Sequence, residues 1–214
     1  MIDQRLKDFY YLSVGKLSLL SLWKYRLLAP GRFQNPLVHL CCGTNYIPEM
    51  INVDGNPFRK KDLWLDIALG LPFRDNAVRG IYISHSLEHF NVRTVRRLLA
   101  EFRRVLKPEG GLRIVVPSVE YAIESRSSKD PARFSDFPEK YRSPGGKFHN
   151  FLLCGNQHLT LFDFSFLEEL LTDAGFRDIR KMGSRKSRFL EKNPLLFEPE
   201  DLGDKSSLYI ECLK

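Results

Sequence analysis

The chain has 214 residues, 43% of them hydrophobic, which is enough to bury a core as one α/β domain with a modest extension. Its formal net charge of +7 favours acidic partners, such as nucleic acid, anionic lipid or phosphorylated sugars, and says nothing about the fold. Its four cysteines show neither a CxxC pair nor zinc-ribbon spacing, so we expect a reduced, cytoplasmic protein.

The N-terminal arm, residues 1–30, is predicted to be helical. Residues 9–28 are rich in apolar side chains, but Lys16, Lys24 and Arg26 interrupt them, which argues against a membrane-spanning helix. No small-residue cleavage site follows, so a secretory signal is not predicted either. The arm either packs on the domain or rests on a membrane surface as a basic amphipathic helix, and both alternatives stay open.

Four short apolar runs begin the main domain, which we place at residues 31–214. They span residues 37–41, 50–54, 62–67 and 80–84, and residues that typically end strands, such as proline, glycine, asparagine and aspartate, stand around them. Each run predicts a short strand.

A helix is predicted over residues 91–106, because apolar residues repeat there at helical spacing while the arginines lie mostly off that stripe. Residues 112–116 are apolar apart from Arg113, as expected of a strand buried on both faces. Ser165 and Glu168 form a capping-box pattern that opens a helix closed by Gly175. Further strands are predicted over residues 176–182 and 207–212. Strands that alternate with helices predict a doubly wound parallel α/β sheet.

A polar segment containing proline and glycine separates the fifth strand from the capped helix. It spans residues 119–157 and follows the carboxyl end of a predicted strand. Insertions at this position often form lids and substrate pockets, so we predict a lid-like insertion here.

The ends of the first three strands carry residues suited to a nucleoside, which in an open α/β sheet binds beyond the carboxyl ends of the strands. The first strand ends in Cys41, Cys42 and Gly43, whose small side chains let a ligand approach the backbone. Asp54 could accept two hydrogen bonds from a ribose diol, and Asp66 could accept one from an adenine amino group. The alternatives are a turn residue for Asp54, and a helix cap or turn residue for Asp66.

Five motifs then stand in a fixed order between His39 and Pro117. They read Leu40-Cys41-Cys42-Gly43, Asn52-Val53-Asp54, Leu71-Pro72-Phe73-Arg74-Asp75-Asn76, His85-Ser86-Leu87-Glu88-His89 and Val105-Leu106-Lys107-Pro108-Glu109-Gly110-Gly111. As an ordered set they resemble the class I S-adenosylmethionine-dependent methyltransferases, in particular the methyltransferase-11-like group. The resemblance implies a Rossmann-like doubly wound sheet of about seven strands, mostly parallel with the last strand antiparallel and with helices on both faces. It also implies S-adenosyl-L-methionine as the cofactor.

The resemblance assigns roles to individual residues at these strand ends. The residues that would border the amino-acid part of the cofactor are Leu40, Cys41, Cys42 and Gly43. Asp54 would hold its ribose, and Asp66 and Ile67 its adenine. Ser84, His85 and Ser86 would line the reactive end, with His89 in a hydrogen-bond network beneath the cofactor.

Two positions depart from the group's pattern. Cys41 stands where the first glycine is usual, and Glu109 stands where a glycine is common. Cysteine is small enough for a cofactor to bind, although it could crowd the methionine part. A chain that keeps the fold and has lost turnover therefore remains an alternative.

The segment His85–His89 also fits the His-x-x-Glu-His pattern of one zinc protease class. Zinc binding there needs both histidines on one helical face and a further ligand. Because the segment follows an apolar strand directly, His85 is expected in a strand-to-helix turn. We therefore predict neither a metalloprotease nor a metal site.

A base within reach of the methyl acceptor assists the reaction when the acceptor is a hydroxyl or a protonated amine. The candidates are His85, His149 and His158, since histidine titrates near neutral pH. Each could instead be an ordinary surface or packing residue. His85 is favoured because the end of the fourth strand is expected to face the methyl group.

The sequence thus predicts methyl transfer to a small or carrier-linked polar acceptor, for which a saccharide-related compound is one candidate. A non-catalytic binding module on the same fold and an RNA methyltransferase remain alternatives. Basic side chains in residues 180–188 and 91–106 could meet phosphates or form a solvated face. No RNA-binding module is recognised, so nucleic acid is the less favoured partner.

Overall fold

A computed structural model of the chain describes residue 17 and residues 35–128, 133–190 and 206–214. Apart from residue 17, the predicted N-terminal arm lies outside this part of the chain, so its helix and its membrane contact stay predictions. Among the helices that are described, none combines the length and the apolar character needed to cross a bilayer.

The described residues form one seven-stranded sheet with the order β3-β2-β1-β4-β5-β7-β6. The strands are β1 Leu37–Leu40, β2 Ile51–Asp54, β3 Leu63–Trp64, β4 Val78–Ser84, β5 Leu106–Pro117, β6 Arg177–Met182 and β7 Ser207–Leu213. Strands β1 to β5 pair in parallel, and β7 runs antiparallel to β5 and to β6. The predicted fold class is confirmed, including the antiparallel last strand.

Four helices accompany the sheet in the described part of the chain. They are α1 Val92–Val105, α2 Val119–Ser127, α3 Pro144–Leu153 and α4 Phe164–Asp173, with short 3-10 turns at Ile67–Leu69 and Leu87–His89. Successive strand residues point to opposite faces of the sheet. Ile81 and Ile83 accordingly join the large core that includes α1 and α4, whereas Tyr82 joins a smaller core on the other face.

Helix α1 forms as its sequence predicts. The Asn91 side chain accepts a hydrogen bond from the Thr94 N–H and caps the first turn. The apolar stripe is buried through Val95, Leu98, Leu99, Phe102 and Val105. Burial of this stripe against the sheet accounts for the helix.

The capping box predicted at Ser165 is wrong. Helix α4 begins two residues earlier than a cap at Ser165 implies, and the Asp163 carboxylate accepts from the Phe166 N–H at 2.8 Å. Ser165 instead donates its hydroxyl to Asp163 at 2.9 Å. Both residue types can cap, and a carboxylate gains in addition from the positive end of the helix dipole. The predicted end is confirmed, since Gly175 adopts a φ of 84° and donates to the Thr172 carbonyl.

Most predicted strands differ from the observed ones by one or two residues at an end, and β1, β3 and β5 differ for physical reasons that the structure shows. Strand β1 ends at Leu40 because Cys41 turns into the left-handed region, with a φ of 53°. Strand β3 has only two residues, since Asp66 begins a 3-10 turn. Strand β5 begins at Leu106 rather than at residue 112, and its register against β4 shifts between Val78 and Gly80. An irregular stretch of this kind shows no apolar pattern in the sequence.

Arg113 interrupts the apolar run of β5 without leaving a charge unpaired. Its guanidinium lies 3.1 Å from the Glu211 carboxylate, and both side chains are fully buried. It also donates to the carbonyls of Lys186 and Gly183 at 2.8 and 3.1 Å. A buried pair of this kind is tolerated when further hydrogen bonds satisfy it, and here it fastens residues 183–188 to the sheet.

His39 of β1 is buried with a neutral side chain. Its ring lies 4.9 Å from the Tyr82 ring, and its Nδ1 lies 3.3 Å from the Asn52 side-chain oxygen. Burial lowers the pKa of His39 from 6.5 to about 4, and the contact with Asn52 offsets only part of that effect.

We expect His39 to make the folded protein acid-sensitive. Between pH 6.5 and about 4 the unfolded chain binds a proton at His39 that the folded chain does not, so the free energy of unfolding falls as the pH is lowered. The loss from this residue should be about 3 kcal/mol, measured by urea denaturation at a series of pH values. His39→Phe keeps a ring against Tyr82 and should flatten the pH dependence. An equally steep dependence in that variant would contradict the assignment.

Candidate functional site

The carboxyl ends of β1 and β2 are joined through Asp54. One carboxylate oxygen accepts from the Gly43 N–H at 2.7 Å, and the other accepts from the Asn56 N–H at 2.7 Å. Each oxygen can accept a second hydrogen bond, so the carboxylate fixes the loop after β1 and retains capacity for a hydroxyl. The predicted turn role of Asp54 and its predicted ligand role are therefore compatible.

Gly43 leaves the backbone of this loop open to a ligand. It adopts a φ of 54°, and a Cβ added there would meet no atom within 4 Å. A ligand can approach the backbone closely at such a position, because glycine has no side chain and the space beside it is open. The residues present thus fit the predicted position of the cofactor's amino-acid part.

The other three predicted residues of this loop differ in what they can offer. Leu40 is fully buried and Cys42 is 3% exposed, so their side chains support the loop from inside. The Cys42 thiol donates to the Lys60 carbonyl at 3.7 Å, and burial raises its pKa to about 12. The half-buried Cys41 thiol is held neutral, because burial and then the charge of Asp54 raise its pKa.

Asp66 has the capping role that the sequence left open. Its carboxylate accepts from the Ala68 N–H at 3.0 Å and begins the turn at Ile67–Leu69, and burial raises its pKa. Ile67 is 2% exposed and its side chain belongs to the large core. If this turn borders an adenine, Ile67 would contact the adenine through its backbone, because its side chain is buried in the core.

The end of β4 places His85 between two polar side chains. His85 adopts a φ of 47°, and its N–H donates to the Val115 carbonyl at 2.8 Å. Its Nδ1 lies 3.6 Å from the Glu88 carboxylate, and its Nε2 lies 3.2 Å from the Ser207 hydroxyl. With 45% of its side chain exposed, the ring is accessible as well as oriented. Ser207 was not predicted, because β7 reaches this edge only through tertiary pairing.

The remaining predicted residues at this edge are serines. Ser84 is half-buried, whereas Ser86 is 8% exposed and donates its hydroxyl to the Ser84 carbonyl at 2.9 Å. The Ser86 side chain also partly offsets the effect of burial on the pKa of the Cys41 thiol, which places it near the loop after β1.

A compact polar cluster lies beside His85. Ligand-type atoms of Glu88, His89 and His158 all lie within 4.8 Å of one another, and the two rings are 5.2 Å apart. The sequence predicted no metal site and missed this cluster. The motif carrying Glu88 and His89 was a partial signal, but His158 comes from a distant segment.

His149, the third predicted base, belongs to a different environment. It is exposed on α3, where its ring lies 6.4 Å from the ring of Tyr141. The structure therefore brings His85 and His158 to the cluster and leaves His149 on the insertion.

The predicted insertion contains two helices with an aromatic core of their own. Helix α2 begins directly after β5, with Ser118 as its cap, and packs against α3. The rings that share this core are Tyr121, Phe134, Phe148 and Phe151. Residues 129–132 lie outside the described part. A role as a lid stays a prediction.

Many of the basic side chains considered for phosphate binding are paired within the chain. On α1, Arg96 pairs with Asp173 and Arg104 with Glu101 and Asp75. The stretch 180–188 is similarly engaged: Arg180 and Arg188 pair with Asp178, and Lys181 pairs with Glu120. These pairs reduce the charge left for a polyanion.

Residues 28–114 match the family model described as a methyltransferase domain, of the methyltransferase-11 group. No curated protein matches the chain by sequence. Among solved structures, a SAM-dependent methyltransferase from Archaeoglobus fulgidus shares 17% identity over 99% of this chain and 100% of its own, with a TM-score of 0.54.

Two further solved structures have similar folds. One is a SAM-dependent methyltransferase of Thermotoga maritima, described as a possible histamine N-methyltransferase. It shares 19% identity with this chain, the match covers 98% of this chain and 95% of that chain, and the TM-score is 0.52. The other is phosphoethanolamine N-methyltransferase 2 of Haemonchus contortus in complex with S-adenosyl-L-methionine. It shares 14% identity with this chain, the match covers 93% of this chain and 52% of that chain, and the TM-score is 0.52. The solved structures confirm the predicted fold, and the family match over residues 28–114 confirms the resemblance and the cofactor it implies.

The two departures from the group's glycines both fall where the backbone is left-handed. Cys41 has a φ of 53° and Glu109 a φ of 62°. A side chain in this region costs roughly 1–2 kcal/mol, which gives a physical reason for the usual glycines.

We expect Cys41→Gly and Glu109→Gly each to raise the free energy of unfolding by roughly 0.5–1 kcal/mol, since relief of strain exceeds the added chain entropy. Urea denaturation measures the gain. Glu109→Gly is the matched control because it relieves the same backbone strain away from the loop after β1. Cofactor affinity should change only in Cys41→Gly. Destabilisation in both variants would contradict the account.

Proposed function

We propose that this chain, which carries a class I S-adenosylmethionine-dependent methyltransferase domain of the methyltransferase-11-like group, transfers a methyl group to a small or carrier-linked polar acceptor. One observation supports this most directly: the loop after β1 is hydrogen-bonded to the end of β2. The Gly43 N–H donates to Asp54 at 2.7 Å, and the Cys42 N–H donates to the Val53 carbonyl at 3.1 Å. This edge is the place where an open α/β sheet binds its ligand.

On the cofactor side, the chain supplies a fixed backbone and carboxylates. Gly43 offers an open backbone face, and Asp54 retains capacity to accept from a ribose diol. Asp66 stands at the end of β3, where its carboxylate caps the turn at Ile67–Leu69 by accepting from the Ala68 N–H at 3.0 Å. S-adenosyl-L-methionine supplies a methyl group on a positively charged sulfur, so orientation of the acceptor contributes much of the rate.

On the acceptor side, we assign the base to His85. The Glu88 carboxylate lies nearer its Nδ1, which favours a proton on that nitrogen and leaves the Nε2 lone pair as the acceptor. Ser207 contacts Nε2 and holds the ring in place. A hydroxyl or ammonium group that gains the methyl would replace the Ser207 hydroxyl at this nitrogen and lose its proton to it.

Two alternatives make different predictions. An RNA methyltransferase needs unpaired basic side chains, but several on α1 and in residues 180–188 are paired internally. Binding to structured RNA that weakens steeply with salt would favour this alternative. A non-catalytic module is favoured by Cys41 alone and predicts that no acceptor is methylated.

Calorimetry with S-adenosylmethionine tests the cofactor site through Asp54→Asn. The amide keeps the size of the side chain but loses the charge and one acceptor oxygen, so we expect affinity to fall at least about tenfold. Asp75→Asn is the matched control, because Asp75 lies exposed in the turn before β4 and pairs with Arg104. No binding by the parent, or equal affinity in Asp54→Asn, would contradict the proposal.

A screen of small polar hydroxyl and amine compounds, read by release of S-adenosylhomocysteine, tests the reaction itself. With an acceptor found, His85→Gln should lower the methyl-transfer rate by roughly 10²–10⁴-fold, the range typical of a lost general base. The control is His149→Gln, which removes the other predicted base on the insertion. A rate that falls in His149→Gln and not in His85→Gln would reverse the assignment.

A further inference from the structure

The cluster of Glu88, His89 and His158 has the composition of a metal site that the proposed reaction does not use. Two imidazoles and one carboxylate bring their ligand-type atoms within 4.8 Å of one another. Two observations beyond this proximity point to a cation: the orientation of both rings and the state of the carboxylate.

Each imidazole is oriented by a backbone carbonyl. His89 Nδ1 lies 3.0 Å from the Gln157 carbonyl oxygen, and His158 Nδ1 lies 2.7 Å from the Leu152 carbonyl oxygen. A carbonyl only accepts, so Nδ1 carries the proton in both rings and Nε2 presents its lone pair. Metal-binding histidines typically show this arrangement, in which the second ring nitrogen donates to a carbonyl or carboxylate.

The carboxylate of Glu88 has one oxygen that its surroundings leave unsatisfied. Glu88 is 2% exposed, and its Oε2 has no hydrogen-bond partner among the described residues. Its Oε1 faces His85 Nδ1 at 3.6 Å. A buried carboxylate oxygen without a donor is unfavourable, and a cation at the cluster would satisfy it.

The two segments that carry these residues are fastened to each other. The Glu88 carbonyl accepts from the N–H groups of Leu159 and Thr160 at 2.7 and 3.1 Å. The Thr160 hydroxyl donates to the Phe90 carbonyl at 2.6 Å. The donor atoms are therefore held in position by the backbone rather than gathered by mobile side chains.

We propose that Glu88, His89 and His158 bind one divalent transition-metal ion of the Zn²⁺ class. Imidazole nitrogens with a carboxylate suit Zn²⁺, Fe²⁺, Co²⁺ or Ni²⁺, whereas Mg²⁺ and Ca²⁺ favour sites made of oxygen alone. Three protein ligands leave a coordination position open, as in catalytic rather than structural sites.

The cluster lies beside His85, whose Nδ1 is 3.6 Å from Glu88 Oε1, at the edge where the methyl acceptor is expected. An ion there would hold an acceptor oxygen and favour loss of its proton. This role rests on the proposed methyl transfer, whereas binding of the ion does not. His85 is not counted as a ligand, because it is not among the three residues whose ligand-type atoms lie within 4.8 Å of one another.

Titration of the chelator-treated full chain with Zn²⁺ alone, followed by calorimetry, tests the site. We expect one ion per chain, with affinity lowered at least about tenfold in Glu88→Gln and in His158→Gln. Glu88→Gln keeps the backbone carbonyl that holds Leu159 and Thr160. The matched control is His149→Gln, which removes an exposed histidine and should leave Zn²⁺ affinity unchanged. Mg²⁺ should bind far more weakly than Zn²⁺.

Failure to bind Zn²⁺ by the parent, with a native circular-dichroism spectrum, would overturn the proposal. So would equal affinity in the parent and in folded Glu88→Gln and His158→Gln. A loss in His149→Gln as large as in His158→Gln would assign the ion to surface histidines and reject the cluster. Visible absorption of the Co²⁺ form reports the ligand set without any turnover. Separate titration with S-adenosylhomocysteine distinguishes failure of the metal site from failure of the methyltransferase proposal.

Discussion

The parallel pairing of β1 with β2 on one side and with β4 on the other is the constraint on which the candidate site depends. Parallel neighbours end at the same edge of a sheet, so the loops that follow these strands must meet there. Asp54 then fixes the position of the loop after β1 relative to the end of β2, because its carboxylate accepts a hydrogen bond from the backbone of that loop. A strand order without this switch between β1 and β4 would separate the same residues.

Left-handed backbone recurs at this edge and has a common cause. Cys41, Gly43 and His85 all adopt positive φ just after a strand ends. A chain that leaves a strand and must turn sharply, while keeping a backbone face open, uses this region of conformational space. Tertiary hydrogen bonds hold this backbone: Asp54 fixes the Gly43 N–H, and the Val115 carbonyl fixes the N–H of His85, where the positive φ is strained. Strained residues maintained in this way are typical of functional sites.

Local signals in the sequence predicted much of the fold, and the errors arose where tertiary contacts decide. Helix α1 was correct because its cap and its apolar stripe are both local. The start of α4 was wrong because Asp163 and Ser165 compete as caps two residues apart. The loop after β1 was identifiable from its motif. Ser207 was not identified, and His158 was named as a candidate base but not as a neighbour of Glu88 and His89, since each reaches the site from a distant part of the chain.

Glu88 shows why the polar cluster can be neither recognised from its motif alone nor separated from the fold. Its backbone carbonyl fastens residues 159 and 160, which fixes where the preceding His158 lies. One oxygen of its carboxylate lies 3.6 Å from His85 Nδ1. A carboxylate oxygen also lies within 4.8 Å of a ring nitrogen of His89 and of His158. The main chain of Glu88 thus holds the segment that carries His158. Its side chain supplies the carboxylate of the cluster formed with His89 and His158. A substitution that changes only the carboxylate therefore separates chemistry from architecture, because the main-chain bonds do not depend on the side-chain charge.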